Sequence, residues 1–256
     1  MFKLDILAKN TAEKVSEQMI SLVYDQVNAW GRHDDFFLAL LKKLNVNEIA
    51  DLGCGTGRLT THLGKEGYHI TAIDPNEEAI EYAKNKDYPD ELTWIIDDSS
   101  NLQTEAFDAV IMTANVAQVF LTDESWQHTI SNIYRALKPG GHMIFDTRNP
   151  LAKVWEQWEK DLTPDVATNF ATGEPLEVWT EYEGFKEGIF TFFETVKNAQ
   201  TGEVMIQEKI QLKFRTLTEI YDSLQQGGFS QIQAYEDWEF KQATEKAKSF
   251  IFHCVK

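Results

Sequence analysis

The chain has 256 residues, of which 43% are hydrophobic and 25% are charged, a composition that argues against disorder and provides for a sizeable core. Its formal charge of −17 reflects 41 acidic and 24 basic residues, and so acidic a surface disfavours nucleic acid as a partner because it repels phosphate backbones. The two cysteines, Cys54 and Cys254, form no CxxC pair, so we predict neither a metal site nor a disulfide framework.

The first residues, MFKLDILAKN, lack the long apolar core and the small-residue cleavage site of a signal peptide. No apolar run approaches the roughly 20 residues that are needed to span a bilayer. We therefore expect a cytoplasmic protein without a membrane partner. The sequence carries no signal for an oligomeric state.

Two helices are predicted at the start of the chain. Apolar residues at helical spacing run through residues 11–30 and continue into a second helix that ends near Asn45. We interpret residues 1–45 as a helical cap on the structure that follows.

Short apolar strands then alternate with helices between residues 48 and 147. Strands are predicted at 48–52, 69–74, 92–97, 107–113 and 142–147, and helices at 77–85 and 124–137. Connections of this length imply right-handed crossovers and a parallel sheet, and every strand is apolar enough to be covered on both faces. The predicted fold class is therefore α/β, with a doubly wound, mostly parallel, Rossmann-like sheet.

The second half of the chain has a different pattern. Residues 176–183, 189–196 and 204–215 alternate polar with apolar or aromatic side chains, which predicts an antiparallel β insertion with one solvated face. We assign residues 150–215 to a substrate-side insertion. A helix over 216–227 and a reversed final hairpin, with strands at about 229–238 and 248–255, then complete a single domain over residues 1–256.

The segment Asp51-Leu52-Gly53-Cys54-Gly55-Thr56-Gly57 joins the first predicted strand to a helix. Its alternate glycines leave no Cβ in the turn, so a ligand can lie against the backbone at the sheet edge where doubly wound folds bind ligands. Arg58 stands where a dinucleotide fingerprint needs glycine, and no P-loop sequence follows. Asp74 ends the second strand, where an acid can accept hydrogen bonds from ribose hydroxyls. A nucleoside without phosphates fits both facts, and a tight turn without a ligand is the alternative.

Five segments resemble, in the expected order, the motifs of class I S-adenosylmethionine-dependent methyltransferases. They are IADLGCGTGRLTTHL, ITAIDPNEEAIEYA, WIIDDSSNL, FDAVIMTANVAQ and LKPGGHMIFDTRNP. The resemblance covers most of the chain and implies an enzyme with S-adenosyl-L-methionine as cofactor. Position by position, it implies cofactor contacts from Gly53, Gly55, Asp74, Pro75, Asp98, Ser99 and Thr113.

In this assignment the two glycines and Thr113 lie near the methionine part of the cofactor, Asp74 holds the ribose, and Pro75 lies beside the adenine. Asp98 and the Ser99 amide read the adenine edge, although Asp97 takes that role if the register slips by one residue. Each residue also has a structural interpretation, since Asp98 could cap a turn and Asp74 could close a strand.

A narrower resemblance, to glycine N-methyltransferase-like enzymes, rests on Arg32-His33-Asp34-Asp35-Phe36, Ala114-Asn115 and Phe145-Asp146-Thr147-Arg148-Asn149. It implies that the Arg32 guanidinium binds the cofactor carboxylate and that Asn115 and Arg148 face the acceptor. Tyr24 is a candidate cover for the cofactor, with a core position as its alternative, and Arg148 could instead pair with a nearby acid. Because residues 150–215 depart from glycine N-methyltransferase, the acceptor does not carry over.

The expected activity is direct displacement of the cofactor's methyl group by a small-molecule acceptor. No catalytic residue is assigned: His128 and His142 are candidate bases, but one is expected on a helix surface and the other at a strand start. The alternative functions are a non-catalytic cofactor-binding or regulatory protein and, more remotely, an NAD-dependent reductase.

Overall fold

The computed structural model describes residues 23–89, 91–158, 163–170 and 172–256. Most of the helix predicted over residues 11–30 lies outside these ranges, although residues 23–27 are helical. Within the described ranges, no helix combines the length and the apolar character that crossing a membrane requires.

The strands of the structure form two sheets. In chain order the strands are β1 (Glu48–Leu52), β2 (His69–Asp74), β3 (Leu92–Ile96), β4 (Phe107–Met112), β5 (Leu137–Arg148), β6 (Asp165–Thr168), β7 (Pro175–Lys186), β8 (Ile189–Asn198), β9 (Val204–Lys213), β10 (Ser230–Glu236), β11 (Glu239–Gln242) and β12 (Ser249–Val255). The larger sheet has eight strands in the spatial order β11-β10-β12-β5-β4-β1-β2-β3.

Strands β1 to β5 run parallel, whereas β12 is antiparallel to both β5 and β10. This arrangement confirms the predicted doubly wound, mostly parallel sheet with a reversed final hairpin. The chain runs from β1 to β2 and β3 on one side of β1 and then returns to β4 on the other side. The strand order therefore reverses beside the carboxyl end of β1, which is where such sheets bind ligands.

Helices cover both faces of the large sheet. They are α1 (Arg32–Leu44), α2 (Arg58–Lys65), α3 (Glu77–Lys84), α4 (Asp123–Ala136), the short α5 (Trp155–Trp158) and α6 (Leu217–Gln226). Hydroxyl caps fix where two of them begin: Thr122 accepts the Ser125 amide at 3.1 Å before α4, and Thr216 forms a capping box with Glu219 before α6.

The packing of the core explains why β1 is mostly apolar. Ile49 packs with Leu41 of α1 on one face, and Ala50 packs with Ile133 of α4 on the other, all four with no exposed surface. A strand that is buried on both faces cannot shift register without loss of packing. The end of β1, and the turn that follows it, are therefore held in a fixed position.

The second sheet is the predicted antiparallel insertion, with four strands in the order β6-β7-β8-β9. Its inner face packs against residues 23–27, because Val178 and Val196 contact Val23. A second apolar cluster on this sheet joins Phe190 to Trp155 of α5. The insertion thus contacts the segment that carries Tyr24.

Three elements differ from the sequence prediction. β6 has only four residues, three of them exposed, so it shows no clear alternation. β11 was predicted as a charged turn and is a fully exposed edge strand. β5 begins at Leu137, five residues earlier than predicted, because the fully buried Leu137 pairs with Phe107 across the Pro139-Gly140-Gly141 interruption.

Candidate functional site

The turn between β1 and α2 contains three glycines in left-handed conformations. Gly53, Gly55 and Gly57 have φ angles of +76°, +52° and +70°, which residues with a Cβ rarely adopt. A Cβ at Gly53 would lie 2.7 Å from the Val116 side chain, and one at Gly57 would lie 2.3 Å from the Trp94 ring. A Cβ at Gly55 would meet no atom within 4 Å. Two of the glycines therefore permit close packing, whereas Gly55 faces open space.

That open space is a cavity at the carboxyl ends of β1, β2 and β4. Its wall combines Tyr24, the glycine turn, the start of α2 and residues near the ends of β2 and β4. The lining residues are Tyr24, Asp51, Gly53, Cys54, Gly55, Thr56, Arg58, Leu59, Asp74, Asn76, Ala79, Thr113, Ala114 and Val116. Five of the predicted cofactor residues are brought together here, namely Tyr24, Gly53, Gly55, Asp74 and Thr113.

Asp74 links the end of β2 to the glycine turn. One carboxylate oxygen, Oδ2, accepts the Gly55 amide at 2.8 Å, and the other, Oδ1, accepts the Asn76 amide at 2.8 Å. Burial raises the pKa of Asp74, although the two amides oppose that effect. The carboxylate thus holds the turn in place and still lines the cavity.

Asp51, at the end of β1, is a site residue to which the sequence analysis gave no role. Its side chain is buried, and its Oδ2 accepts the Thr60 hydroxyl at 2.6 Å. Its Oδ1 has no hydrogen-bond partner among the described residues. Burial, with a contribution from the charge of Asp74, raises the pKa of Asp51 to about 6. An unsatisfied buried oxygen in a cavity wall is a place for a ligand's hydrogen-bond donor.

Cys54 also lines the cavity, between Gly53 and Gly55. Burial, together with the charges of Asp51 and Asp74, raises the pKa of its thiol well above the usual range. The thiolate is the reactive form of cysteine, so this side chain is a poor nucleophile and contributes apolar surface.

Arg32 lies away from the cavity, and Arg58 lies in it. The exposed Arg32 side chain is 3.5 Å from Glu239 of β11. Arg58, the first residue of α2, donates to both carboxylate oxygens of Asp34 at 2.7 and 2.9 Å. In the sequence, Arg58 stands out only as the residue at a position where a dinucleotide fingerprint needs glycine. Its position directly after the last glycine of the turn was the sequence signal that could have placed Arg58 in the cavity wall.

Tyr24 is held over the cavity by its neighbour in the chain. The Asp25 carboxylate accepts the Thr56 hydroxyl at 2.6 Å and forms an ion pair with Lys86, so the 23–27 segment is fastened to the glycine turn. Burial raises the pKa of Tyr24, which keeps its phenol protonated at neutral pH. The side chain is therefore a hydrogen-bond donor in the cavity wall.

The residues expected at the adenine edge lie outside the cavity wall. Asp98 is exposed and caps a short 3₁₀ turn, where it accepts the Ser100 amide at 2.7 Å. The Asp97 carboxylate accepts hydrogen bonds from the backbone amide of Asp98 at 2.8 Å and from the side-chain amide of Asn101 at 2.6 Å. The Ser99 side chain is buried and accepts from Asn132, and Pro75 is exposed at the rim beyond Asp74. Asp97 directly follows β3, and its backbone amide donates to the Asp74 carbonyl oxygen at the end of β2 at 3.2 Å.

A second polar cluster follows β4 and β5 and contains both residues expected to face the acceptor. The Asn115 amide donates to Asp146 Oδ2 at 3.0 Å, and Arg148 donates to Gln118 Oε1 at 3.1 Å. With its side-chain amide oriented to satisfy both neighbours, Asn115 also accepts from Arg148 Nη2 at 3.2 Å. The Arg148 guanidinium lies over the Trp158 ring, 4.9 Å from its centroid.

Two atoms of this cluster are buried without a partner among the described residues. They are Asp146 Oδ1 and Gln118 Nε2, and both side chains have no exposed surface. Burial raises the pKa of Asp146 to about 6 even though the Asn115 amide and the Arg148 charge oppose it. Unsatisfied buried polar atoms are costly, so the cluster is suited to a polar ligand that completes its hydrogen bonds.

The two histidines considered as bases lie elsewhere. His128 is exposed on α4. His142 lies in the first half of β5, where its Nδ1 is 3.0 Å from Nε2 of His253. Neither histidine lines the cavity.

Known proteins resemble this chain most clearly in the part that forms the cavity. The methyltransferase domain family matches residues 49–141, a range that contains the glycine turn, Asp74 and the end of β4. Glycine N-methyltransferase of Mus musculus is 26% identical over 165 residues, which are 54% of this chain and 55% of that protein. The chain spans about half the length of the first curated relatives it matches.

Solved structures resemble the chain over nearly its whole length. An S-adenosylmethionine-dependent methyltransferase from Clostridium acetobutylicum superposes with a TM-score of 0.70 at 17% identity, over 97% of this chain and 98% of that one. An S-adenosylmethionine-bound amino pentose methyltransferase of calicheamicin biosynthesis, from Micromonospora echinaspora, gives a TM-score of 0.65 at 15% identity, over 90% and 93%. At these identities the likeness is one of fold.

Proposed function

We propose that the chain is a class I S-adenosylmethionine-dependent methyltransferase that transfers the methyl group of S-adenosylmethionine to a small-molecule acceptor by direct displacement. The match of residues 49–141 to the methyltransferase domain family and the likeness of the fold to solved methyltransferases support this proposal. The observation that carries this proposal is the cavity beside Gly55. A side chain at position 55 would enter this cavity, and the Asp74 carboxylate lines it. The bound cofactor supplies a sulfonium methyl group, which already carries its leaving group.

Each part of the cofactor has a proposed set of contacts. The backbone at Gly53 and Gly55, with Thr113, holds the methionine part, and the buried Asp51 Oδ1 accepts from its ammonium group. Asp74 accepts from the ribose hydroxyls. Arg58, which lies in the cavity wall, takes the carboxylate contact that the resemblance gave to Arg32.

The adenine is proposed to lie beyond Asp74, at the rim. Pro75 flanks the ring there, and Asp98 with the Ser99 amide reads its edge, with Asp97 as the alternative acid. The bond between the Asp97 amide and the end of β2 supports this placement, because it keeps the two strand ends together. Tyr24 covers the methionine side of the cavity.

The chain's contribution to rate is proposed to be alignment. Holding an acceptor in line with a reactive methyl group can supply roughly 7–11 kcal/mol of barrier reduction. Asn115 and Arg148 are proposed to contact the acceptor, since they adjoin the unsatisfied atoms of Asp146 and Gln118. We assign no general base.

Residues 150–215 are proposed to form a substrate-side insertion in one domain that spans residues 1–256. The excess of acidic residues supports a small molecule over a nucleic acid, and the proposed location is the cytoplasm.

Calorimetry with S-adenosylmethionine, followed by a methyl-release assay on small amines, carboxylates and phenols, tests the proposal. We expect binding, and turnover of at least one acceptor class. Absence of cofactor binding would refute the proposal. Binding without turnover of any acceptor would favour a non-catalytic, cofactor-binding protein.

A further inference from the structure

Glu194 lies on the inner face of β8, among buried apolar residues. Alternate residues of a strand share a face, so Glu194 shares its face with Phe190 and Val196, neither of which has exposed surface. Its cross-strand neighbours are Thr180 on β7 and Glu208 on β9. A carboxylate therefore lies between the two apolar clusters of this face.

The contacts on either side of Glu194 show what this face covers. Two residues after it, Val196 packs against Val23, which directly precedes Tyr24 in the 23–27 segment. Four residues before it, the Phe190 ring lies 5.7 Å from the ring of Trp158, and Trp158 in turn stacks under the guanidinium of Arg148. Glu194 thus lies on this face between the residue that packs beside Tyr24 and the residue that packs against Trp158, and its charge acts on the Tyr24 phenol. From this position, the space next to its side chain is expected to lie between the cover of the cofactor cavity and the proposed acceptor cluster.

No partner neutralises Glu194 within the part of the chain that the structure describes. None of the hydrogen bonds or ion pairs found there involves its carboxylate. Burial raises the pKa of Glu194, and the acidic neighbours Glu208 and Asp165 raise it further, with no basic residue opposing them. A partly buried carboxylate in this position is stabilised by a cation.

The charges around this space favour a cationic ligand. Arg148 supplies one positive charge, but the fully buried Asp146 carboxylate two residues away already offsets it. Glu194 then leaves the space with an excess of negative charge. The cofactor's sulfonium is not the natural partner, because Glu194 is absent from the wall of the cofactor cavity.

We propose that Glu194 is a specificity residue that binds a protonated amine on the methyl acceptor, so that the acceptor class is small cationic amines. This inference rests on the proposed function and adds to it the chemical class of the substrate. The partner of the amine is the Glu194 carboxylate on the insertion side.

The test uses the full chain loaded with S-adenosylhomocysteine and two pairs of probes, benzylamine with benzyl alcohol and ethanolamine with ethylene glycol. Calorimetry is expected to show that at least one amine binds about tenfold or more tightly than its alcohol, as expected for a charged hydrogen bond. Glu194→Gln is expected to remove this preference while alcohol binding and S-adenosylmethionine affinity stay unchanged.

Two further variants separate recognition from general effects. Glu181→Gln removes the same charge from an exposed site on β7, on the opposite face, and is expected to match the unmodified protein. Glu194→Asp keeps the charge on a shorter side chain and is expected to retain part of the amine preference. Thermal melting of each variant checks that it is folded.

Equal binding of each amine and its alcohol, or failure of both amines to bind, would overturn the inference. So would a Glu194→Gln variant that loses cofactor affinity in place of amine affinity. Failure of the unmodified protein to bind S-adenosylmethionine would instead refute the proposed function itself, so the two failures are distinguishable.

Discussion

Asp74 serves both the fold and the proposed ribose contact, because its two carboxylate oxygens accept from Gly55 and Asn76. We expect Asp74→Ala to weaken S-adenosylmethionine binding by about 1–3 kcal/mol, the cost of leaving a buried polar group without its partner. Calorimetry measures the affinity, and melting without ligand reports the loss of the turn contacts. Asp87→Ala, at a fully exposed side chain, is the control. Unchanged affinity in Asp74→Ala would contradict the ribose assignment.

Two glycine variants separate the effect of backbone strain from the effect of a side chain that fills the cofactor cavity. Gly55→Ala places a methyl group in open cavity space, so we expect roughly 1–2 kcal/mol of lost stability from the left-handed backbone and a marked loss of cofactor affinity. Gly67→Ala is a matched control, because its φ of +94° is also left-handed and its Cβ also meets nothing, yet it lies outside the cavity wall. If both variants bind S-adenosylmethionine equally well, the ligand does not lie against Gly55.

Asp34 should give a pH-dependent contribution to stability. Burial alone would raise the pKa of Asp34, but hydrogen bonds from His33, Arg58 and the Gly31 amide hold it well below its usual range. A lowered pKa stabilises the fold at pH values above the unfolded pKa of about 3.9, and this stability is lost as the pH falls further.

We therefore expect Asp34→Asn to lower the free energy of unfolding by about 3 kcal/mol at neutral pH, with the difference shrinking below about pH 4. Urea unfolding across that pH range measures it. Asp35→Asn, an exposed neighbour on the same helix, should change stability little at any pH. A difference for Asp34→Asn that persists undiminished in acid would argue against the ion pair with Arg58.

Local spacing predicted which residues the fold brings together. Gly53, Gly55 and Asp74 line one cavity. The sequence did not predict that Arg58 lies in the cavity wall while Arg32 lies away from it, because that arrangement depends on the contact between Asp34 and Arg58, which are 24 positions apart. No local pattern encodes a pairing between α1 and the start of α2.

At the level of elements, the insertion carries a prediction about substrate choice. Its inner face packs against Val23, which precedes Tyr24, and against Trp158, which lies under Arg148, so it adjoins the cluster that is proposed to contact the acceptor. Exchange of residues 150–215 for the corresponding segment of a relative is expected to change acceptor preference with little effect on S-adenosylmethionine affinity. Methyl-release assays across acceptor classes measure the change, and an unaltered preference would refute the role of the insertion.

The same elements show which parts of a fold a sequence encodes strongly. Strands that are buried on both faces, such as β1 and β4, were predicted with bounds within one residue, because they are short and mostly apolar segments. β11 was missed because all four of its residues are exposed, so that only its pairing with β10 defines it as a strand. Edge strands of this kind depend on a neighbour that the local sequence does not describe.

For the molecule as a whole, ligand binding should appear as added stability. At roughly 100 times its dissociation constant, a ligand stabilises the folded state by about 2.7 kcal/mol. For a chain of this size, S-adenosylmethionine should then raise the melting temperature by about 5–10 °C. NADH should give no shift, because Arg58 stands where a dinucleotide site needs glycine. A shift with NADH alone would point to a reductase.

The position of β12 has a consequence for incomplete polypeptides. This strand is the last of its sheet along the chain, yet it lies inside the sheet, where it pairs with β5 from Arg148 to His142 and with β10 on its other side. A product that stops before residue 249 leaves both neighbours with open backbone edges, beside side chains such as Phe145 that are otherwise fully buried. Open apolar edges pair with other chains, so prematurely ended products should aggregate and leave only finished molecules in solution.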